Sequence, residues 1–158
     1  MLNIKHKDYR KEVMAILFNQ EDEFLVVSSK SYGKKIFSCP KGGVYTGENN
    51  IEALRRELRE ELGTNLEYKI LQKSDVELIV CWPEEIASKY KQKGSHITTF
   101  WVQMINGHMD FNREEIDEIK WLAETNFFEF MGHKVKPEEL EVLKREWLDI
   151  NPKPKALT

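Results

Sequence analysis

The apolar positions along the chain change their spacing several times, and each change marks an element. Val13 to Phe18 (VMAILF) is an unbroken apolar run, the pattern of a buried strand. Asn19, Gln20, Glu21 and Asp22 supply turn chemistry, and Phe24 to Ser28 (FLVVS) reads as the partner strand. A basic, glycine-containing loop follows: Lys30, Ser31, Tyr32, Gly33, Lys34 and Lys35. After Ile36 and Phe37 comes CPKGGVYTGE, predicted to be loop by its proline and three glycines. From about Asn49 to Leu62 the spacing becomes helical. At about 100° per residue Ile51, Leu54, Leu58 and Leu62 share one narrow stripe, expected to face the core, and Gly63 stands where a helix stops.

The second half is β-rich until its end. Val76 to Trp82 and Ile97 to Met104 are expected strands, with a short helix between them in Pro83 to Gln92. Glu118 to Leu122 is another short strand, and Pro137 to Leu148 a helix with Leu140, Leu143 and Trp147 on one face. The tail NPKPKALT has two prolines and little to bury, so it is expected to fray. There are no repeats and no low-complexity tract. The expectation is one α+β domain over residues 1–150, a mixed β-sheet sandwiched between helices, with residues 151–158 as a tail.

Composition narrows the class. The chain has 158 residues, 24 Lys+Arg against 27 Asp+Glu and a formal charge of −3. That balance argues against a surface that grips nucleic acid as a whole, and no stable DNA complex is expected. No apolar run is long enough to cross a membrane, and MLNIKHKDYR lacks the apolar stretch of a secretory signal. Cys39 and Cys81 make neither a disulfide framework nor a CxxC zinc pattern. A cytoplasmic protein, monomeric or homodimeric, is expected.

The chemistry concentrates in IEALRRELREEL, residues 51–62. Glu57, Glu60 and Glu61 are spaced i+3 and i+4, so their carboxylates cluster beside the apolar stripe, with Arg55, Arg56 and Arg59 on the other flank. Like charges at this spacing destabilise a free helix, and closely set carboxylates suit a hard divalent cation such as Mg²⁺. A solvated helix laced by i,i+4 ion pairs is the plainer reading of the same residues. The loop in front tips the balance: Gly42, Gly43 and Gly47 permit a tight path, and Glu48 sits where a helix start favours a carboxylate.

Gly42, Glu48 and the run Arg56, Glu57, Leu58, Arg59, Glu60, Glu61, Leu62, Gly63 resemble the Nudix box. The last position of that pattern is aliphatic and here is Thr64, a departure that touches packing more than chemistry. The resemblance implies the Nudix fold and hydrolysis of a diphosphate linkage with Mg²⁺ or Mn²⁺. It implies that Glu57, Glu60, Glu61 and the Lys41 backbone carbonyl are metal ligands, and that Glu48 and Arg56 form a structural ion pair with Gly42 and Gly63 shaping the box. NREEIDEIKWLAE is similar to a stretch of bacterial RNA pyrophosphohydrolases and diadenosine tetraphosphate hydrolases. Alignment on Trp121 places Glu115 as a catalytic acidic residue there, with Glu114, Asp117 and Glu118 as alternatives.

The same branch is echoed in SYGKKIFSCPKGG and GSHITTFWVQM. Lys30, Lys34, Lys35 and Lys41 are therefore candidate phosphate contacts, and Tyr32 a candidate base-stacking residue. Phe37 stands where that branch commonly has tryptophan, and Trp82, ending a strand at a proline, is a second candidate for the pocket. The expected substrate is a dinucleoside polyphosphate or the 5′-triphosphate end of RNA. The alternatives are a diphosphoinositol polyphosphate, a nucleoside triphosphate, or a non-catalytic Nudix-fold module that binds a nucleotide.

Overall fold

A computed structural model describes residues 8–30 and 36–152. Strand β1 (Tyr9–Phe18) turns into β2 (Glu23–Ser29) through residues 19–22, where the Asn19 side chain accepts from the Glu21 and Glu23 amides at 3.0 and 2.9 Å. The two strands pair at Phe18 and Phe24 and then diverge. Two short strands fill the gap. β3 (Phe37–Ser38) pairs antiparallel with β2, and β4 (Lys41–Gly43) pairs antiparallel with β1. The segment expected to be plain loop is thus partly sheet. Pro40 cannot donate, but its carbonyl accepts from the Ala15 amide at 2.8 Å, so the proline sits within the ladder without breaking it.

The remaining strands extend the sheet. β5 (Leu66–Cys81) and β6 (Gly94–Gly107) form a long antiparallel pair joined through helix α2 (Glu84–Tyr90). β6 runs parallel to the whole of β1, from Tyr9 opposite Gly94 to Phe18 opposite Gln103. β7 (Ile116–Ala123) lies antiparallel on the free side of β2. β5 begins well before the expected Val76. It is an edge strand, many of its residues face water, and register shifts interrupt its pairing, so its apolar alternation is weak.

Both faces of β1 are buried, which explains its unbroken apolar run. On one face Val13, Ala15, Leu17, Leu25 and Val27 meet Ala53, Leu54, Leu58 and Leu62 of helix α1 (Asn50–Leu62). Ile51, expected on that stripe, is 37% exposed, and Ala53 takes the inward place. On the other face Met14, Ile16, Phe18, Phe24 and Val26 meet helices α3 (Glu124–Gly132) and α4 (Pro137–Ile150). Phe24 stacks on Phe127 at 4.3 Å between centroids, and Trp101 on Trp147 at 5.8 Å. Helix α3 was not expected from the sequence. It has no side-chain cap, and Phe127, Phe128, Phe130 and Met131 give no clean helical stripe.

Helix α4 is fastened by a buried carboxylate. Glu146 accepts from Ser74 Oγ at 2.6 Å, from the Asp75 amide at 2.8 Å and from Trp101 Nε1 at 3.1 Å. The expectation of a frayed tail concerns residues that lie almost wholly outside those described.

Candidate active site

The entry to α1 is pinned twice. Asn49 and Glu52 form a reciprocal capping box, with the Glu52 amide donating to Asn49 Oδ1 at 2.8 Å and the Asn49 amide to Glu52 Oε1 at 3.1 Å. One residue earlier, Glu48 Oε1 accepts from the Tyr45 amide at 2.8 Å, and the Glu48 amide donates back to the Tyr45 carbonyl at 3.0 Å. Gly47 closes this turn at φ 90°, a conformation that favours glycine.

Arg56 ties that turn to the helix. Its Nε and Nη2 engage both Glu48 oxygens at 2.8 and 3.0 Å, and Nη2 also reaches the Gly43 carbonyl at 2.7 Å. Its Nη1 donates to Glu57 at 2.8 Å and Glu60 at 3.3 Å, while the Tyr45 ring covers the guanidinium at 3.7 Å. The Arg56 hydrogen bond, helped by the Tyr45 amide, holds the Glu48 carboxyl below the usual carboxylate range.

The two glycines of β4 serve opposite faces of the sheet. A Cβ built on Gly42 would fall inside the Glu57 carboxylate, and one on Gly43 inside the Arg10 guanidinium. One strand of backbone thus separates an anion from a cation, each occupying a missing side chain. The ladder also fixes the Lys41 carbonyl. Bonds from Val44 to Lys11 and from Ala15 to Pro40 make 11/44 and 15/40 bonded positions, so Lys41, opposite Met14, is a non-bonded one. Its carbonyl is turned away from β1.

Four carboxylates converge on this side. Burial raises Glu57 above the usual carboxylate range; Arg56 opposes the rise, and Glu60 and Glu115 add to it. Burial pushes Glu61 up to about 8, with Glu57, Glu115 and Glu60 adding and Lys41 opposing. Glu61 Oε2 is buried without a hydrogen-bond partner. Glu115 arrives through backbone docking. The amides of Asp110 and Asn112 donate to the Leu62 and Glu61 carbonyls, both at 2.9 Å, satisfying acceptors that a helix end leaves open. The Lys30 amide then holds the Glu115 carbonyl at 2.9 Å. Gly63, at φ 87°, makes this docking possible, since a Cβ there would stand 3.0 Å from Asp110.

These groups open into a cleft of about 610 Å³. Glu57, Glu60, Glu61 and Glu115 form its acidic side, and Arg10, Lys30 and Lys41 its cations. Six of the residues expected in the site are therefore brought together. Tyr32, Lys34 and Lys35 lie outside the described residues. Trp82 is not among the lining residues; its indole donates to Ser95 Oγ at 3.1 Å and its ring meets Tyr90 edge-on. Arg10, Glu12 and Tyr45 are among the lining residues that the sequence pattern does not point to. Arg10 and Glu12 alternate along β1 and so share a face, a signal visible only once β1 is extended back to Tyr9. Glu12 is buried and accepts from Ser95 Oγ.

The donor set suits a hard cation. It offers clustered carboxylates, a buried oxygen without a partner and an outward-turned carbonyl. Among the described residues no closed set of three acidic, histidine or cysteine ligands is assembled, because Glu57 and Glu60 are turned onto Arg56. A cation would compete with that guanidinium for both.

Residues 8–149 match the NUDIX domain family. The chain belongs to that family. This Nudix chain is 29% identical over 145 residues to the RNA pyrophosphohydrolase of Campylobacter jejuni, spanning 87% of this chain and 92% of that one. It is 29% identical over 140 residues to the RNA pyrophosphohydrolase of Bartonella bacilliformis, spanning 77% and 82%. Its fold is similar to that of the Ap4A hydrolase of C. elegans, with a TM-score of 0.67, 16% identity and coverage of 89% and 98%. The expected α+β Nudix architecture is the one observed. No helix among the described residues is long and apolar enough to cross a membrane.

Proposed function

We propose that this Nudix chain is a metal-dependent pyrophosphohydrolase that cleaves a phosphoric anhydride bond in the 5′-triphosphate end of RNA or in a dinucleoside polyphosphate. The observation that carries the reading is Glu61, a half-buried side chain with one buried, unpaired carboxylate oxygen and three carboxylate neighbours at the mouth of a cleft lined by cations. The names of the relatives from Campylobacter jejuni and Bartonella bacilliformis support the RNA end. The C. elegans fold relative supports the dinucleotide.

Glu57, Glu60, Glu61 and the Lys41 carbonyl are the groups that would hold Mg²⁺ or Mn²⁺. Bound there, the metal would neutralise charge on the diphosphate and lower the pKa of a bound water. Arg10, Lys30 and Lys41 orient the phosphate chain from the cationic side. Glu115, held beside Glu57 and Glu61, takes the proton of the attacking water. Arg56 stays outside the chemistry and sets the angle of the helix through Glu48 and Gly43.

The test is a substrate panel with Mg²⁺ and Mn²⁺, products identified, covering 5′-triphosphorylated RNA, diadenosine tetraphosphate, nucleoside triphosphates and diphosphoinositol phosphates. Turnover is expected on one or both of the first two. Tight binding without turnover of any would overturn the catalytic reading and leave a nucleotide-binding module.

A further inference from the structure

Tyr45 is a large aromatic left 56% exposed at the wall of the cleft. Its position is unusually well fixed. The amide and carbonyl of Tyr45 are both held by Glu48, at 2.8 and 3.0 Å. One face of the ring rests on Arg56, and Arg56 is itself held by Glu48, Gly43, Glu57 and Glu60. A ring backed on one side by a fixed guanidinium and exposed on the other is a ready-made stacking surface. Little side-chain entropy remains to be lost when a second planar group lands on it. The place is also right for a nucleotide: a single guanidinium stands between the ring and the carboxylates of Glu57 and Glu60, beside which the diphosphate would lie.

We infer that Tyr45 is the platform on which a base of the substrate stacks, next to the hydrolysed linkage. The inference rests on the diphosphate reading above for the position of the phosphates. It assigns to the turn ahead of α1 the stacking role that the sequence had suggested for Tyr32. The competing role for Tyr45 is to shield the Arg56–Glu48 pair from water, and leucine separates the two, since it covers the guanidinium but has no π-face.

Calorimetric titration of the metal-loaded protein with ADP, GDP and inorganic pyrophosphate tests this, because the three probes share a diphosphate and only two carry a base. Tyr45→Leu is expected to weaken ADP or GDP by about 10-fold, as the loss of one stacked base does, and to leave pyrophosphate within about 2-fold. Tyr45→Phe, which keeps the ring, should restore most of the nucleotide affinity. Equal weakening of nucleotide and pyrophosphate by Tyr45→Leu would show a shielding role and overturn the inference. So would unchanged nucleotide binding in that variant, or binding of neither nucleotide to the wild type. Turnover on the substrate panel is read separately, so a chain that stacks a base without hydrolysis would retain this inference and lose the catalytic one.

Discussion

Two helices of this domain each draw a glutamate out of water, and the outcomes are opposite. On α4, Glu146 is buried with three donors on its two oxygens, from Ser74, Asp75 and Trp101. On α1, Glu61 is half-buried with one buried oxygen unpaired, and its neighbours Glu57, Glu60 and Glu115 are of its own sign. A desolvated carboxylate with its hydrogen bonds satisfied joins two parts of a fold. One left unsatisfied among like charges is an unfilled requirement for a cation or a proton.

The largest expected effect lies on the satisfied side. Glu146→Ala strands two buried donors, on Ser74 and Trp101, and the partly buried Asp75 amide, and should lower the unfolding free energy by about 4 kcal/mol, leaving turnover per folded molecule unchanged. Urea melts alongside activity would show this, and a loss below about 1 kcal/mol would remove Glu146 from the comparison. On the other side, Glu60→Gln should cut turnover by at least ~10²-fold with stability nearly unchanged. Steady-state kinetics with unaltered rates in that variant would sink the ligand assignment.

The pH dependence sharpens the contrast further. The Glu61 pKa is raised in the folded state from an ordinary 4.5 to about 8. Between those values the unfolded chain has lost a proton that the folded chain keeps, so metal-free stability falls as pH rises through that window. The fall should be on the order of 2 kcal/mol and should vanish in Glu61→Gln, whose side chain does not titrate. Urea midpoints at pH 5 and pH 8 in chelator measure it; parallel pH trends in the two proteins would count against Glu61 as the source. The smallest expected effects are at the glycine pair. Gly42→Ala displaces Glu57 and should lower kcat/KM by about 10-fold, while Gly43→Ala moves only the flexible end of Arg10 and should raise KM about 3-fold. A reversed ranking would mean that the cationic side, not the acidic side, sets the rate.

The sequence made one of these two regions far more legible than the other. Glu57, Glu60 and Glu61 were visible because helical spacing alone puts them together, and the glycines and Glu48 ahead of them marked the turn. Glu146 was invisible, because its partners Ser74 and Trp101 reach it from strands remote in the chain. The same holds for Arg10 and Glu12, which enter the cleft through pairing of β1 with β4 and β6. Glu115 was found by resemblance only; its place depends on backbone bonds to the end of α1, which side-chain pattern does not encode. Helix α3 had neither cap nor stripe to announce it.

The parallel ladder of β1 on β6 has a consequence in time. Ser95 and Glu12 meet across 83 residues, so this wall of the cleft waits on a long loop closure. The carboxylates of α1 need only a local helix to come together. During refolding the three carboxylates of α1 are therefore expected to gather before the Glu12–Ser95 wall is complete. Helical signal should return ahead of nucleotide binding, and coincident recovery of the two would show that local helix and remote ladder form together.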